Sequence, residues 1–223
     1  MNAIHGYIDF ILHLDHHLAG IIHTYGGWTY GILFLIIFCE TGLVVLPFLP
    51  GDSLLFAGGS FGALGSLNPW ALFGLLAAAA IMGDNLNYWI GRHIGPRAFT
   101  GKVRHLNMKH LERTRTFFDR HGPRTIILAR FIPIVRTFTP FVAGVGEMRY
   151  RRFLAYDVAG GVLWVGLFTL AGYLFGNLPK VRANFSLVIL GIVVVSVLPI
   201  IREIFRSVVA ERRAAAEATS KQL

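Results

Sequence analysis

Cysteine, charge, and basic residues in the first third of the chain are all scarce. The single cysteine, Cys39, can close no intramolecular disulfide and belongs to no metal-ligand spacing, which removes disulfide scaffolds and structural zinc from consideration. No lysine or arginine precedes Arg92, and Asp9 and Asp15 stand where a cleaved secretory signal carries its basic region. Insertion through retained segments is therefore expected. Only 15% of the residues are charged, against about 25% in soluble domains.

What the chain has instead is apolar length. Of its 223 residues 54% are hydrophobic and the mean hydropathy is +0.58, as for one polytopic membrane unit with no room for a separate soluble domain. The net charge of +9 would suit nucleic acid only if the basic residues interleaved with aromatics on a polar surface; they flank apolar runs instead. Anionic inner-leaflet lipid is the expected counter-charge, and no nucleic-acid partner is expected.

Inside those runs stand a few ionisable residues. Residues 125–146 are apolar and uncharged except for Arg130 and Arg136, and are broken by Pro133 and Pro140. A cation at bilayer depth costs about 3 kcal/mol on insertion scales, so both arginines are expected to face a cavity or partner. The earlier run mirrors this with acids, Glu40 and Asp52, around Pro47 and Pro50.

Along the chain, residues 1–30, with five histidines and two aspartates, read as an interfacial helical region. Residues 31–206 form the membrane domain. Residues 31–65 carry two apolar arms around a Pro-Phe-Leu-Pro-Gly-Asp turn, the pattern of a re-entrant hairpin. Residues 68–91 read as a transmembrane helix with Pro69 in its first turn and Tyr88 and Trp89 at an interface. Residues 92–124 contain nine Lys or Arg and are expected to be a cytoplasmic loop with a basic amphipathic helix on the inner leaflet.

Basic flanks on both sides, Arg124 and then Arg149, Arg151 and Arg152, turn 125–147 into a second hairpin with its tip between Pro133 and Pro140. Spans at 152–178 and 183–205 follow, then a cytoplasmic tail, 207–223. The two halves resemble each other, each with a broken apolar segment followed by a long helix. The fold class expected is an all-α polytopic membrane protein, an inverted repeat of two oppositely oriented re-entrant hairpins with transmembrane and amphipathic surface helices.

Four motifs in order, Phe38-Cys39-Glu40-Thr41-Gly42, Phe48-Leu49-Pro50-Gly51-Asp52, Gly83-Asp84 with Tyr88 and Gly91-Arg92, and Arg130-Phe131-Ile132-Pro133-Ile134-Val135-Arg136-Thr137, resemble the DedA family of bacterial inner-membrane proteins. The likeness continues through Ile126-Ile127-Leu128-Ala129 and Thr139-Pro140-Phe141-Val142-Ala143-Gly144. It implies the two-hairpin fold and a role in returning undecaprenyl phosphate, the lipid carrier of envelope polysaccharides, across the cytoplasmic membrane. Links to proton motive force, cell division and resistance to cationic peptides are implied too, with dependence on the positions of Glu40, Asp52, Arg130 and Arg136.

From residue chemistry, arginine suits phosphate because it stays charged and donates in a planar fork. On one straight helix Arg130 and Arg136 would lie about 240° apart and Glu40 and Asp52 about 120° apart; broken segments lift that constraint. Arg130 and Arg136 are the expected phosphate ligands and Glu40 and Asp52 the expected proton-coupling acids, with supporting roles for Pro50, Asp84, Asn85, Tyr88, Pro133, Thr137 and Pro140. The bland alternative is a set of ion pairs locking the segments. For Asp84, near the expected end of its helix, interfacial hydrogen bonding and proton relay stay equally open.

No enzyme is expected, since His121 has only Asp119 nearby to orient it; nor is any cofactor or metal. The partners expected are undecaprenyl phosphate or a related anionic lipid, protons and inner-leaflet lipid, and homo-oligomerisation is compatible with the sequence. An uncoupled phospholipid scramblase and a proton or cation antiporter are the alternatives.

Overall fold

The computed structural model describes residues 14–43, 51–99, 122, 124–192 and 194–195, and all regular structure among them is helical. Residues 1–13, the turn with Pro47 and Pro50, the basic segment 100–121 with Asp119 and His121, and the tail from 196 lie outside the described residues.

The first helix, α1 (Leu14–Tyr25), buries Leu18. It stops at Gly26, whose φ of +51° places a residue without Cβ in the left-handed region at the helix end. Helix α2 (Trp28–Gly42) begins three residues before the expected start at 31 and buries Leu33, Ile37, Glu40 and Thr41. That spacing is one helical face. Helix α3 (Gly51–Ala63) is buried at all but two of its positions, so it is a core helix rather than an amphipathic one.

Helix α4 (Pro69–Phe99) starts where Asn68 Oδ1 accepts the backbone N–H groups of Trp70 at 3.0 Å and Ala71 at 3.1 Å, with Pro69 in the first turn, where its missing N–H costs nothing. Its 31 residues make a rod of about 46 Å, longer than the roughly 30 Å hydrocarbon layer. The expected stop at 91 is thus a correction: the aromatic and amide residues there are mid-helix, and the first residues assigned to the basic loop are helical.

The second broken segment consists of α5 (Arg124–Ala129), a break at 130–132, and α6 (Pro133–Val145). Pro133 sits in the first turn of α6, as proline can. Pro140 lies inside α6, contrary to its expected place at the tip. Packing on both sides tolerates it, at the cost of the helical donor for the Arg136 carbonyl. Then come α7 (Tyr150–Phe175), α8 (Pro179–Ala183) and helical residues 185–192, the described part of the expected 183–205 span.

Helices α2 and α6 both pack along α4, α3 and α5 both pack along α7, and α4 crosses α7. Each broken segment thus divides its two arms between the two long helices. Glycines set the closest approaches. A Cβ on Gly144 would fall on the Tyr88 carbonyl oxygen and one on Gly91 on that of Phe141, while Gly59 and Gly172 meet the carbonyls of Thr169 and Phe56 in the same way. Two close crossings, α4 with α6 and α3 with α7, follow.

Two helical stretches, Pro69–Ile94 and Tyr150–Phe175, are long and apolar enough to cross a bilayer. They leave Trp70, Met82, Trp89, Leu163, Leu167, Leu170 and Leu174 exposed. So large an apolar surface is foreign to a soluble monomer and suits lipid.

Candidate functional site

The end of α2, the start of α3 and the start of α6 meet in the interior. Arg136, in the first turns of α6, is 7% exposed, and its guanidinium forks between the two halves of the first broken segment. Its Nη1 donates to Asp52 Oδ1 of α3 at 2.6 Å and its Nη2 to Glu40 Oε1 of α2. The indole of Trp164, on α7, lies against the cation with 4.5 Å from Cζ to the ring centroid, and its Nε1–H donates to Asp52 Oδ1 at 2.9 Å. A residue larger than glycine at Gly51 would strike the Glu40 carboxylate. Glycine at the start of α3 therefore leaves the room that this acid occupies.

Arg130, in the break itself, is also buried but joins a different set: its Nη2 donates to Asp84 Oδ2 of α4 and Asp157 Oδ1 of α7. Arg130 and Arg136, both expected as phosphate ligands, do not share a partner acid in this structure. Each arginine is claimed by its own pair of acids, one set tying the two broken segments together and the other tying the break to both long helices. The sets are neighbours, since Asp84 lies within Coulombic range of Arg136.

Asp84 lies in the body of its helix and not at its end. It is 4% exposed in the body of α4 and held in an ion pair, because α4 continues for four more turns. Asn85 receives the Tyr150 hydroxyl at 2.8 Å, and Tyr88 donates its hydroxyl to the Met148 carbonyl, accepts from Arg92 Nη1 and stacks on Phe153. These two residues fix α4 to the start of α7. Thr137 and Pro140 are buried in α6.

Three residues escaped sequence reasoning. Asp157 is fully buried, yet in the sequence it stands between a cluster of arginines and the charge-free run 158–178, and it drew no reading of its own. Trp164 carried no signal beyond being aromatic in an apolar helix. Asn87, fully buried, reaches the Thr137 carbonyl at 2.6 Å and the Thr41 carbonyl at 3.3 Å, bracing α2, α4 and α6 together.

An apolar groove of about 370 Å³ opens between the start of α4 and the end of α7, lined by Pro69, Trp70, Phe73, Gly166, Leu170 and Tyr173. Its nearest lining residue on α7, Gly166, stands about 3 Å along the helix from Trp164.

Comparison with known proteins gives the lineage. The VTT domain matches residues 49–174. Protein DedA of Escherichia coli K12 is 54% identical over 221 residues, covering 98% of this chain and 99% of its own length. The chain belongs to the DedA family. An uncharacterized membrane protein of Mycobacterium leprae is 48% identical over 74% of each chain, and the inner membrane protein YghB of E. coli K12 is 34% identical over 79% of this chain and 78% of its own. No solved structure matches. This DedA-family chain is a helical membrane protein, and the matched domain runs from two residues before α3 almost to the end of α7, taking in Asp52, Asp84, Arg130, Arg136, Asp157 and Trp164.

Proposed function

We propose that this chain is a transporter of the bacterial inner membrane that carries undecaprenyl phosphate, or a closely related polyprenyl phosphate, across the bilayer in a cycle coupled to the proton motive force. The observation that carries this reading is Arg136: a buried, permanently charged fork whose two N–H arms are held by carboxylates at the meeting point of two broken helices. A phosphate monoester asks for the same two donors. Glu40 and Asp52 occupy them in the structure described. Protonating either acid releases one arm to phosphate, and deprotonation takes it back, so lipid binding follows the proton gradient without any covalent step.

In this reading α2 with α3 and α5 with α6 are two re-entrant hairpins of opposite orientation, entering from outside and from the cytoplasm respectively, with the C-terminus cytoplasmic. Support comes from the division of each segment's arms between α4 and α7 and from the paired glycine crossings, the pattern expected of an inverted repeat with a midplane site. The groove beside Trp164 takes the hydrocarbon chain of the same lipid.

Binding tests this directly. Purified protein in detergent is expected to bind undecaprenyl phosphate and not undecaprenol, and Arg136→Lys, which keeps the charge but loses the fork, is expected to bind the phosphate roughly 10- to 150-fold more weakly, the loss of one charge-assisted hydrogen bond of about 1.5 to 3 kcal/mol. Equal binding of phosphate and alcohol would exclude a phosphate site.

A further inference from the structure

The two arginine sets differ in a way that assigns the second one a job of its own. Arg136 gives each acid a separate nitrogen, Nη1 to Asp52 and Nη2 to Glu40. Arg130 holds both of its acids on one nitrogen, Nη2. Two carboxyl groups bound to a single NH2 group are brought side by side, so Asp84 Oδ2 and Asp157 Oδ1 are neighbours on one nitrogen. The site is also built for them. On α7, a Cβ at Gly160 would come within 2.9 Å of Arg130 Cδ and one at Gly161 within 3.4 Å of Arg130 Nη2, so the small residues make the space that the guanidinium fills. Asp157 Oδ2 and Arg130 Nε are buried with no hydrogen-bond partner among the described residues.

Charge decides what such a pair must contain. With both acids ionised the set carries two negative charges and one positive one in a dry interior. Like-charged carboxylates side by side repel each other; one proton between them turns repulsion into a short O–H···O⁻ bond and brings the set to neutrality.

The charged groups facing the pair are Arg130, from the break between α5 and α6, and Arg136, from α6, which is already engaged by Glu40 of α2 and Asp52 of α3. Arg124, at the start of α5, is exposed. Tyr88, one turn along α4, has its hydroxyl on Met148 and Arg92.

We propose that Asp84 and Asp157 form a proton-binding site distinct from Glu40 and Asp52, a carboxyl–carboxylate pair that shares one proton on the Arg130 guanidinium and loads and releases it during transport. On loading, a proton from water forms an O–H bond on one carboxyl and a hydrogen bond to the other; on release it returns to water and leaves two carboxylates. Because Asp84 feels Arg136, an anion arriving at Arg136 favours the loaded pair, and loading in turn favours the anion by the same factor. That coupling rests on the transport reading above; the shared proton does not.

The test is infrared spectroscopy of the full-length protein in liposomes without polyprenyl phosphate. At neutral pH the unaltered protein is expected to show a carboxylic-acid C=O band that shifts in D2O and vanishes on alkaline titration. The same band is expected to be lost in Asp84→Asn and equally in Asp157→Asn, since removing either acid leaves the other ionised against Arg130. It is expected to survive in Glu40→Gln and Asp52→Asn. A proton resident on one acid alone would disappear in only one of the two variants, and that result overturns the shared pair. So does absence of the band from the unaltered protein, which requires no variant to fold. A protein that shows the band yet moves no polyprenyl phosphate would remove the transport reading and leave the proton site standing.

Discussion

Arg136→Ala is expected to destabilise the protein by about 3 to 5 kcal/mol and to abolish transport, because it leaves Glu40 and Asp52 buried with no counter-charge and strips Trp164 of its cation. Loss of function in that variant alone would not distinguish a lock from a ligand. The triple variant Glu40→Gln, Asp52→Asn, Arg136→Met separates them. Replacing a whole buried ionic set by uncharged groups of similar volume is often neutral or stabilising, so its thermal unfolding in detergent is expected to return close to that of the unaltered protein. Lipid movement in vesicles is expected to stay absent. Recovery of transport along with stability would reduce the set to a structural clamp.

The second large effect is steric. Gly144→Val and Gly172→Val each place a Cβ on a backbone carbonyl oxygen, that of Tyr88 or of Phe56, and a backbone atom cannot turn away as a side chain can. The helices must part, so each variant is expected to lose stability at or above the upper end of the roughly 1 to 3 kcal/mol typical of overpacking. Gly144→Val also carries α6, and with it Arg136, away from α4. Gly74→Ala is the control: nothing lies within 4 Å of its Cβ, and exchanging glycine for alanine inside α4 is expected to raise stability by up to about 1 kcal/mol. Midpoints of thermal unfolding in one detergent give the order directly. A Gly144→Val midpoint equal to that of the unaltered protein would mean that α4 and α6 do not cross as described.

Much of this was legible in the residues, for a reason that also marks where legibility stopped. Charge inside an apolar run is conspicuous because lipid penalises it, and that alone singled out Glu40, Asp52 and Arg136, which the fold brings together. Pairing between distant segments has no such signature. Arg130 and Arg136 share one run and were both expected as phosphate ligands, but the break at 130–132 turns them toward different helices. Asp84 was read as near a helix end because polar and aromatic neighbours resemble one, while α4 runs on to Phe99; Asp157 drew no reading at all, since nothing in its own segment names its partners. Pro140 was expected to break the chain because proline usually does, and buried packing around α6 absorbed it. The glycine crossings were visible as composition only, since spacing does not tell which backbone a glycine admits.

The most direct measurement is the rate of undecaprenyl-phosphate translocation in liposomes containing purified protein, with and without an imposed pH gradient. The unaltered protein is expected to move the lipid faster when the gradient is present, and Arg136→Lys to lose both the movement and its dependence on pH. Translocation at the same rate with no gradient, or undiminished in Arg136→Lys, would contradict a proton-driven exchange of carboxylate for phosphate at Arg136.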